Sequence, residues 1–259
     1  MSEDSLLALR GVTMRFGGLT AVNSLDLEVR RGEIVAVIGP NGAGKTTVFN
    51  MVTGVYTPTS GDIVFDGNRI NGTRPDLVTK LGLARTFQNI RLFDNMTALD
   101  NVMVGTHARH TSSVVGAILG LRRHRAEERE GRQTAYRLLH FVGIQGRGGT
   151  VARNLPYGDQ RRLEIARALG TGPQLLLLDE PAAGMNPSEK ASLAELIRNI
   201  RDSGVTVLLI EHDMTLVMGI SDRIAVLDFG QKIADGPPAE VRDNPDVVRA
   251  YLGEASSAS

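Results

Sequence analysis

The 259-residue sequence contains no cysteine and no tryptophan, and aromatic residues make up 4% of it. Without cysteine there is no disulfide framework and no thiolate metal site. An excess of one charge is also lacking, because 29 Lys and Arg balance 29 Asp and Glu. A polyanion-binding surface is therefore not implied, and nucleic acid is not an expected partner. Long apolar runs are missing too. The longest strongly apolar stretch, residues 114–121 (VVGAILGL), is far short of the roughly 20 residues that span a bilayer. The opening Met1-Ser2-Glu3-Asp4-Ser5 is acidic and polar, so no signal peptide is expected. A soluble cytoplasmic protein follows, with any membrane role arising through a partner. The remaining composition is ordinary globular, enough for one large domain or a domain with a subdomain.

Against this plain background one stretch stands out. Gly39-Pro40-Asn41-Gly42-Ala43-Gly44-Lys45-Thr46-Thr47 fits G-x-x-x-x-G-K-[ST], the phosphate-binding loop. Residues 34–38 before it are apolar and mostly β-branched, as in a buried strand. Residues 46–51 after it can run on as a helix. Gly39, Gly42 and Gly44 let the backbone turn its N–H groups inward with no Cβ in the way. The positive end of the following helix adds to the anion site. Lys45 can reach the β- and γ-phosphates, and the Thr46 hydroxyl can ligate Mg²⁺, a hard ion that prefers oxygen.

Around the loop, residues 6–29 alternate apolar and polar residues with a break at Gly17-Gly18, which predicts two short antiparallel strands over 7–15 and 25–29. Phe16 beside that break could be core or could stack on an adenine ring. Residues 60–68 predict turn, strand, turn, and 83–88 a short strand ending on Gln88. From about 95 to 170 helical patterns replace strand patterns. The charge run at 122–130 (RRHRAEERE) reads as a solvated helix face. The apolar residues 114–121 before it could be a buried turn or a docking surface. Asn186-Pro187 predicts a capped helix start, Leu193, Leu196, Ile197 and Ile200 its buried face, and Gly204 its end. Residues 205–210 read as a buried strand, 224–227 and 232–234 as a closing hairpin, and Asn244-Pro245 as the start of a last helix running to about Leu252. Strands at 34–38, 175–178 and 205–210, separated by helical segments, predict a parallel α/β core with functional residues at the strands' C-terminal ends.

Those ends carry acids. Leu175-Leu176-Leu177-Leu178-Asp179-Glu180 is a central-strand pattern closing on two carboxylates. Asp179 suits the Mg²⁺ side of a P-loop ATPase, and Glu180 can polarise the attacking water. His212, after the next strand, could hydrogen-bond the γ-phosphate and hold Glu180 and the water. Gln88 can place its amide oxygen on Mg²⁺ and its NH₂ near the water. Far more chain separates Lys45 from Asp179 than one βα unit needs, and the helical region 95–170 fills it.

Together these residues resemble the ATP-binding subunits of ABC transporters over about residues 6 to 253. Gly39 to Thr47 match Walker A and Gln88 the Q-loop. Leu155-Pro156-Tyr157-Gly158-Asp159-Gln160-Arg161-Arg162 match the signature, 175–180 Walker B, Ala182-Ala183-Gly184-Met185-Asn186 the D-loop, and His212 the switch histidine. The signature with Arg162-Leu163-Glu164-Ile165-Ala166-Arg167, the segment at 105–130 and the ending 244–253 (NPDVVRAYLG) are most similar to the LivG-type ATPases of branched-chain amino acid importers. The resemblance implies an α/β fold of the P-loop ABC ATPase type. A mixed-sheet core (6–94 and 171–253) would carry an antiparallel β layer and an inserted helical subdomain (95–170), with a mobile tail at 254–259. It implies ATP and Mg²⁺ as ligands, with Phe16 on the adenine and Val22 close by. Pro40, Asn41, Ala43 and Thr47 would line the phosphates with the loop glycines, Lys45 and Thr46. Thr46, Gln88 and Asp179 would serve the metal, and Lys45, Gln88, Glu180 and His212 the hydrolysis. Tyr157 and Gly158 would face a nucleotide across a dimer. The implied partners are membrane permease subunits, a second ABC ATPase, identical or different, packed head to tail, and indirectly a periplasmic or extracellular binding protein. The implied location is the cytoplasmic face of the cell membrane.

The chain departs from the family pattern at the signature. Leu-Ser-Gly-Gly-Gln is usual, but Pro156, Tyr157 and Asp159 replace the Ser, the first Gly and the Gln, and proline offers neither hydroxyl nor N–H. Asn186 replaces the usual D-loop Asp. The resemblance therefore implies a chain that binds ATP well and depends on a facing subunit's signature. Lipid or lipopolysaccharide export, soluble roles in DNA repair or at the ribosome, and pure nucleotide-binding regulation are competing readings. A single P-loop without a sustained heptad run disfavours the soluble roles, and intact Glu180 and His212 disfavour the regulator.

Overall fold

The computed structural model describes residues 4–107 and 122–257. Within the chain two compact units form, Met1–Val78 with Gln174–Ser259, and Thr79–Pro173.

The first unit begins with β1 (Ser5–Phe16) and β2 (Leu19–Arg30), antiparallel and joined through Gly17-Gly18. Both strands are longer than their alternation predicts, because register shifts along the pair interrupt the period-two pattern. β3 (Ile34–Ile38) leads into the phosphate-binding loop and α1 (Lys45–Val52). β4 (Ser60–Phe65) pairs antiparallel with β1 and then with the two-residue β5 (Asn68–Arg69), giving the sheet order β2-β1-β4-β5. The helix α2 (Pro75–Lys80) follows, and the short strand β6 (Leu83–Arg85) belongs to the second unit.

The chain returns to the first unit with β7 (Leu175–Asp179), β8 (Thr206–Ile210), β9 (Arg223–Asp228) and β10 (Gln231–Gly236). Within this unit the second sheet runs β10-β9-β3-β8-β7. β3 lies parallel to β8 and β9, β8 parallel to β7, and β10 antiparallel to β9. The three predicted core strands lie side by side, and every residue of β3 and β7 is buried. That is why both read as unbroken apolar runs: a parallel sheet covered on both faces leaves no position for alternation.

Between β7 and β8 runs α6 (Pro187–Asp202), whose buried face includes the predicted Leu193, Leu196, Ile197 and Ile200. Its start is a complete capping box. The Asn186 side chain accepts from the Glu189 N–H, and the Glu189 carboxylate accepts from the Asn186 N–H. Gly204 follows its end at φ +97°. α7 (Met214–Ile220), α8 (Pro238–Arg242) and α9 (Pro245–Ser257) complete the unit. α9 continues past Leu252 to Ser257, into the stretch expected to be a tail.

The second unit is helical apart from β6. It contains α3 (Ala98–His107), α4 (Arg122–Phe141) and α5 (Tyr157–Gly170), with α3 packed on both others. Gly105 permits the close crossing of α3 and α5: a Cβ there would lie 2.1 Å from the Arg167 carbonyl oxygen. Glu128, Arg129 and Glu130 in the charge run are exposed on α4. The apolar residues 114–121 lie outside the described residues. Among the described residues no helix is long and apolar enough to cross a membrane.

Candidate nucleotide site

The loop between β3 and α1 holds the strongest candidates. Gly39, Gly42 and Gly44 all have positive φ, at +146°, +77° and +101°, a region where an L side chain is strained. The space around them refines the sequence reading. A Cβ at Gly39 would lie 2.0 Å from the Leu227 carbonyl oxygen, and one at Gly44 2.6 Å from that of Ala21. These two glycines let the loop press onto β9 and β2, so the absent Cβ makes room for protein backbone. At Gly42 a Cβ would meet nothing within 4 Å, and backbone conformation alone requires glycine. The Gly230 N–H donates to the Ala43 carbonyl at 3.1 Å, tying the β9–β10 turn to the loop. Pro40 and Ala43 are buried beneath the loop while Asn41, Gly42 and Thr46 are exposed. Lys45 Nζ donates to the carbonyls of Gly39 and Pro40 at 2.6 and 2.8 Å. α1 begins at Gly44 with no side-chain cap and no acidic residue in its first turn, so the positive end of this helix has no built-in carboxylate. Thr46 and the half-exposed Thr47 sit in that first turn.

Phe16 ends β1 and is 42% exposed, with its ring edge-on to Tyr56 at 5.2 Å between centroids. Val22 differs: its side chain is fully buried, and a Cβ at Gly44 would stand 3.3 Å from its Cγ2. It packs under the loop.

At the far ends of β7 and β8 the acidic residues diverge in environment. Asp179 is the last residue of β7 and is buried. Glu180 turns out of the strand at φ +46°, a left-handed conformation unusual for a residue with a side chain. Its Oε2 lies 3.7 Å from His212 Nδ1, and the His212 side chain is largely exposed. The sequence reading missed Glu211. It is fully buried and its two oxygens accept three main-chain N–H groups: Ala182 at 2.8 Å, His212 at 3.0 Å and Asp213 at 3.3 Å. Asp213 caps α7 through the Leu216 N–H and pairs with Lys190 at 2.6 Å. The Lys190 hydrogen bond, helped by that N–H, holds the Asp213 carboxyl below its ordinary range.

In the second unit Arg161, a residue of the signature string, links Gln88 to Tyr157. Arg161, fully buried, donates to the Phe87 and Gln88 carbonyls at 2.7 and 2.8 Å, to Glu164 at 3.0 Å and to the Tyr157 hydroxyl at 3.3 Å. Glu164 in turn accepts from the N–H groups of Phe87 and Arg91. Burial pushes the Glu164 carboxyl up, and the Arg161 charge opposes this. Gln88 and Tyr157 are exposed. Pro156 stands at the N-cap of α5, Gly158 lies in its first turn, and Asp159 pairs with Arg147 at 3.4 Å.

The Thr46 hydroxyl and the Asp179 carboxylate are hard oxygen donors of the kind that Mg²⁺ takes, one or two from protein with the rest drawn from phosphate and water. A glycine-built loop after a buried parallel strand, a lysine and threonine opening the next helix, and carboxylates at the neighbouring strand ends define a P-loop nucleoside triphosphatase.

Comparison with known proteins narrows the class. The family described as "ABC transporter" matches residues 22–183, and "Branched-chain amino acid ATP-binding cassette transporter" matches 231–256. The high-affinity branched-chain amino acid transport ATP-binding protein LivG of Salmonella typhimurium is 50% identical over 251 residues, covering 96% of this chain and 98% of that protein. The crystal structure of the ADP conformation of an ATP-binding cassette of an ABC transporter superposes with a TM-score of 0.84 at 28% identity, covering 96% of this chain and 99% of the other. The dimeric structure of a bacterial ABC transporter cassette gives 0.76 at 25% identity, covering 90% and 99%. The chain belongs to the ABC transporter ATP-binding family.

Proposed function

We propose that this chain is the ATP-hydrolysing subunit of an importer of branched-chain or related amino acids, acting with membrane permease subunits at the cytoplasmic face of the membrane. The observation that carries the hydrolytic part is the approach of Glu180 to His212, 3.7 Å apart at the ends of adjacent parallel strands. Likeness over nearly the whole length to a branched-chain amino acid transport protein supports the substrate class.

In this reading the main-chain N–H groups of the 39–47 loop other than Pro40, with Lys45, hold the β- and γ-phosphates, and Phe16 stacks on the adenine. Thr46, Asp179 and, by the family resemblance, Gln88 would hold Mg²⁺, which would supply charge neutralisation on the transferring phosphoryl group. Glu180 orients a water and takes its proton as the water oxygen bonds to the γ-phosphorus and the bond to the β–γ bridging oxygen breaks. ADP and phosphate leave. His212 steadies Glu180 and the water. Tyr157 and Gly158 face the nucleotide of a second ABC ATPase packed head to tail; the dimeric relative supports the two-cassette arrangement. With Pro156 where that contact usually has serine, this chain serves its partner's nucleotide poorly and relies on its partner's signature for its own.

The test is a pull-down with tagged Glu180→Gln from membranes solubilised in ATP and Mg²⁺. A polytopic permease with a second ATPase is the expected catch. Recovery of this chain by itself from the soluble fraction would overturn the transporter reading. ATP hydrolysis at the wild-type rate by Glu180→Gln would remove Glu180 as the base.

A further inference from the structure

The last register pair between β7 and β8 is Asp179 with Ile210, and one more main-chain bond, from the Glu180 N–H to the Ile210 carbonyl at 2.9 Å, closes the ladder. Beyond it the two chains diverge into the turns that carry the reacting pair. A gap in main-chain pairing inside a buried region leaves N–H groups to be satisfied by something else. Here a side chain takes over. Glu211 Oε1 receives the Ala182 N–H from the turn after Glu180, and Oε2 receives the His212 and Asp213 N–H groups of its own turn. One carboxylate thus spans both turns. Charge-assisted hydrogen bonds of this kind are shorter and stronger than neutral ones.

We infer that Glu211 is a positioning residue for hydrolysis: its carboxylate bracket fixes the separation of Glu180 from His212 and fastens both to the 182–186 turn. Three features carry this. Glu180 sits in a left-handed conformation that surrounding bonds must hold in place. The bracket grips the main chain two residues after Glu180 and at His212 itself. Glu211 Oε2 and Glu180 Oε2 flank the same His212 Nδ1, at 4.0 and 3.7 Å. Glu211 itself, at 0% side-chain exposure, has no access to a reacting atom, and its effect passes through its neighbours. The inference rests on the hydrolytic assignment of Glu180 and His212 made above.

Glu211→Gln is the informative change. The amide preserves volume but keeps one acceptor oxygen and sets an NH₂ donor against a main-chain donor. In the assembled complex kcat is expected to fall about 10²-fold, the cost of a displacement near 1 Å, while the KM for ATP and the melting temperature stay near wild type. In the isolated chain, hydrogen exchange is expected to speed up in peptides covering 181–185 and 211–214 and to stay unchanged in the peptide covering the phosphate-binding loop. Glu211→Asp keeps the charge and both oxygens but loses reach, and the same split is expected from it if the glutamine variant does not fold. Unchanged exchange at those turns, or loss of kcat, ATP binding and melting temperature in parallel, would overturn the bracket. Absence of ATP hydrolysis by the wild-type complex would instead sink the hydrolytic assignment, and the exchange result would stand apart from it.

Discussion

Lys45 stands against the carbonyls of Gly39 and Pro40 in the phosphate-binding loop, and its removal is the simplest residue-scale experiment. Lys45→Ala takes away the charge proposed to meet the terminal phosphates, together with those two hydrogen bonds. Hydrolysis by the complex is expected to fall about 10²–10³-fold, with weaker ATP binding in a fluorescent-nucleotide titration. A second residue-scale prediction concerns pH. The Lys190 partner and the Leu216 N–H depress the folded pKa of Asp213 below its ordinary 3.8. The resulting stabilisation is present above that value and is lost as pH falls through the lower, folded one. Asp213→Asn keeps the helix cap but drops the ion pair. Urea unfolding from pH 7 to pH 3 should find a constant stability gap between wild type and Asp213→Asn down to about pH 4, then a shrinking one. A gap that closes between pH 7 and pH 5 would contradict the assignment.

At the scale of elements, stability rests on caps and close crossings. Asn186→Ala removes the side-chain half of the α6 capping box and should cost about 1 kcal/mol in denaturant unfolding. Gly105→Ala forces a Cβ to within 2.1 Å of the Arg167 carbonyl oxygen, and backbone cannot swing aside as a side chain can. A loss of about 1–3 kcal/mol is expected, read as a lowered melting temperature. The same scale explains what the sequence disclosed. The buried strands and α6 were legible because an apolar run or a 3.6-residue period spans their whole length, and the phosphate-binding loop because its glycines, lysine and threonine form one contiguous string. α2 and α7 were missed because six and seven residues are too few to set a period. Val22, expected close to Phe16 by resemblance, is buried under Gly44. Glu211 and the Arg161–Glu164 pair were illegible for another reason. Their partners are largely main-chain atoms, some of them on other segments, and no local pattern announces a main-chain partner. An arginine with a glutamate three residues on was the only local hint of the latter.

For the molecule as a whole, charge is balanced, and the proposed attachment to a membrane runs through permease subunits. Co-expression of a permease should then move the chain to the membrane pellet in cell fractionation. Membrane recovery without a permease would contradict attachment through a partner. The division into two compact units also sorts the proposed machinery. Lys45, Asp179, Glu180 and His212 lie in one, Gln88 and Tyr157 in the other.

The left-handed backbone at Glu180 bears on how variants of this chain would be selected. A side chain in that conformation costs about 1–2 kcal/mol, more than the roughly 0.5–1 kcal/mol of extra chain entropy that glycine brings. Glu180→Gly should therefore yield a chain that folds more firmly while lacking the proposed base. A screen for thermal tolerance alone is expected to collect that replacement, and an activity screen to reject it.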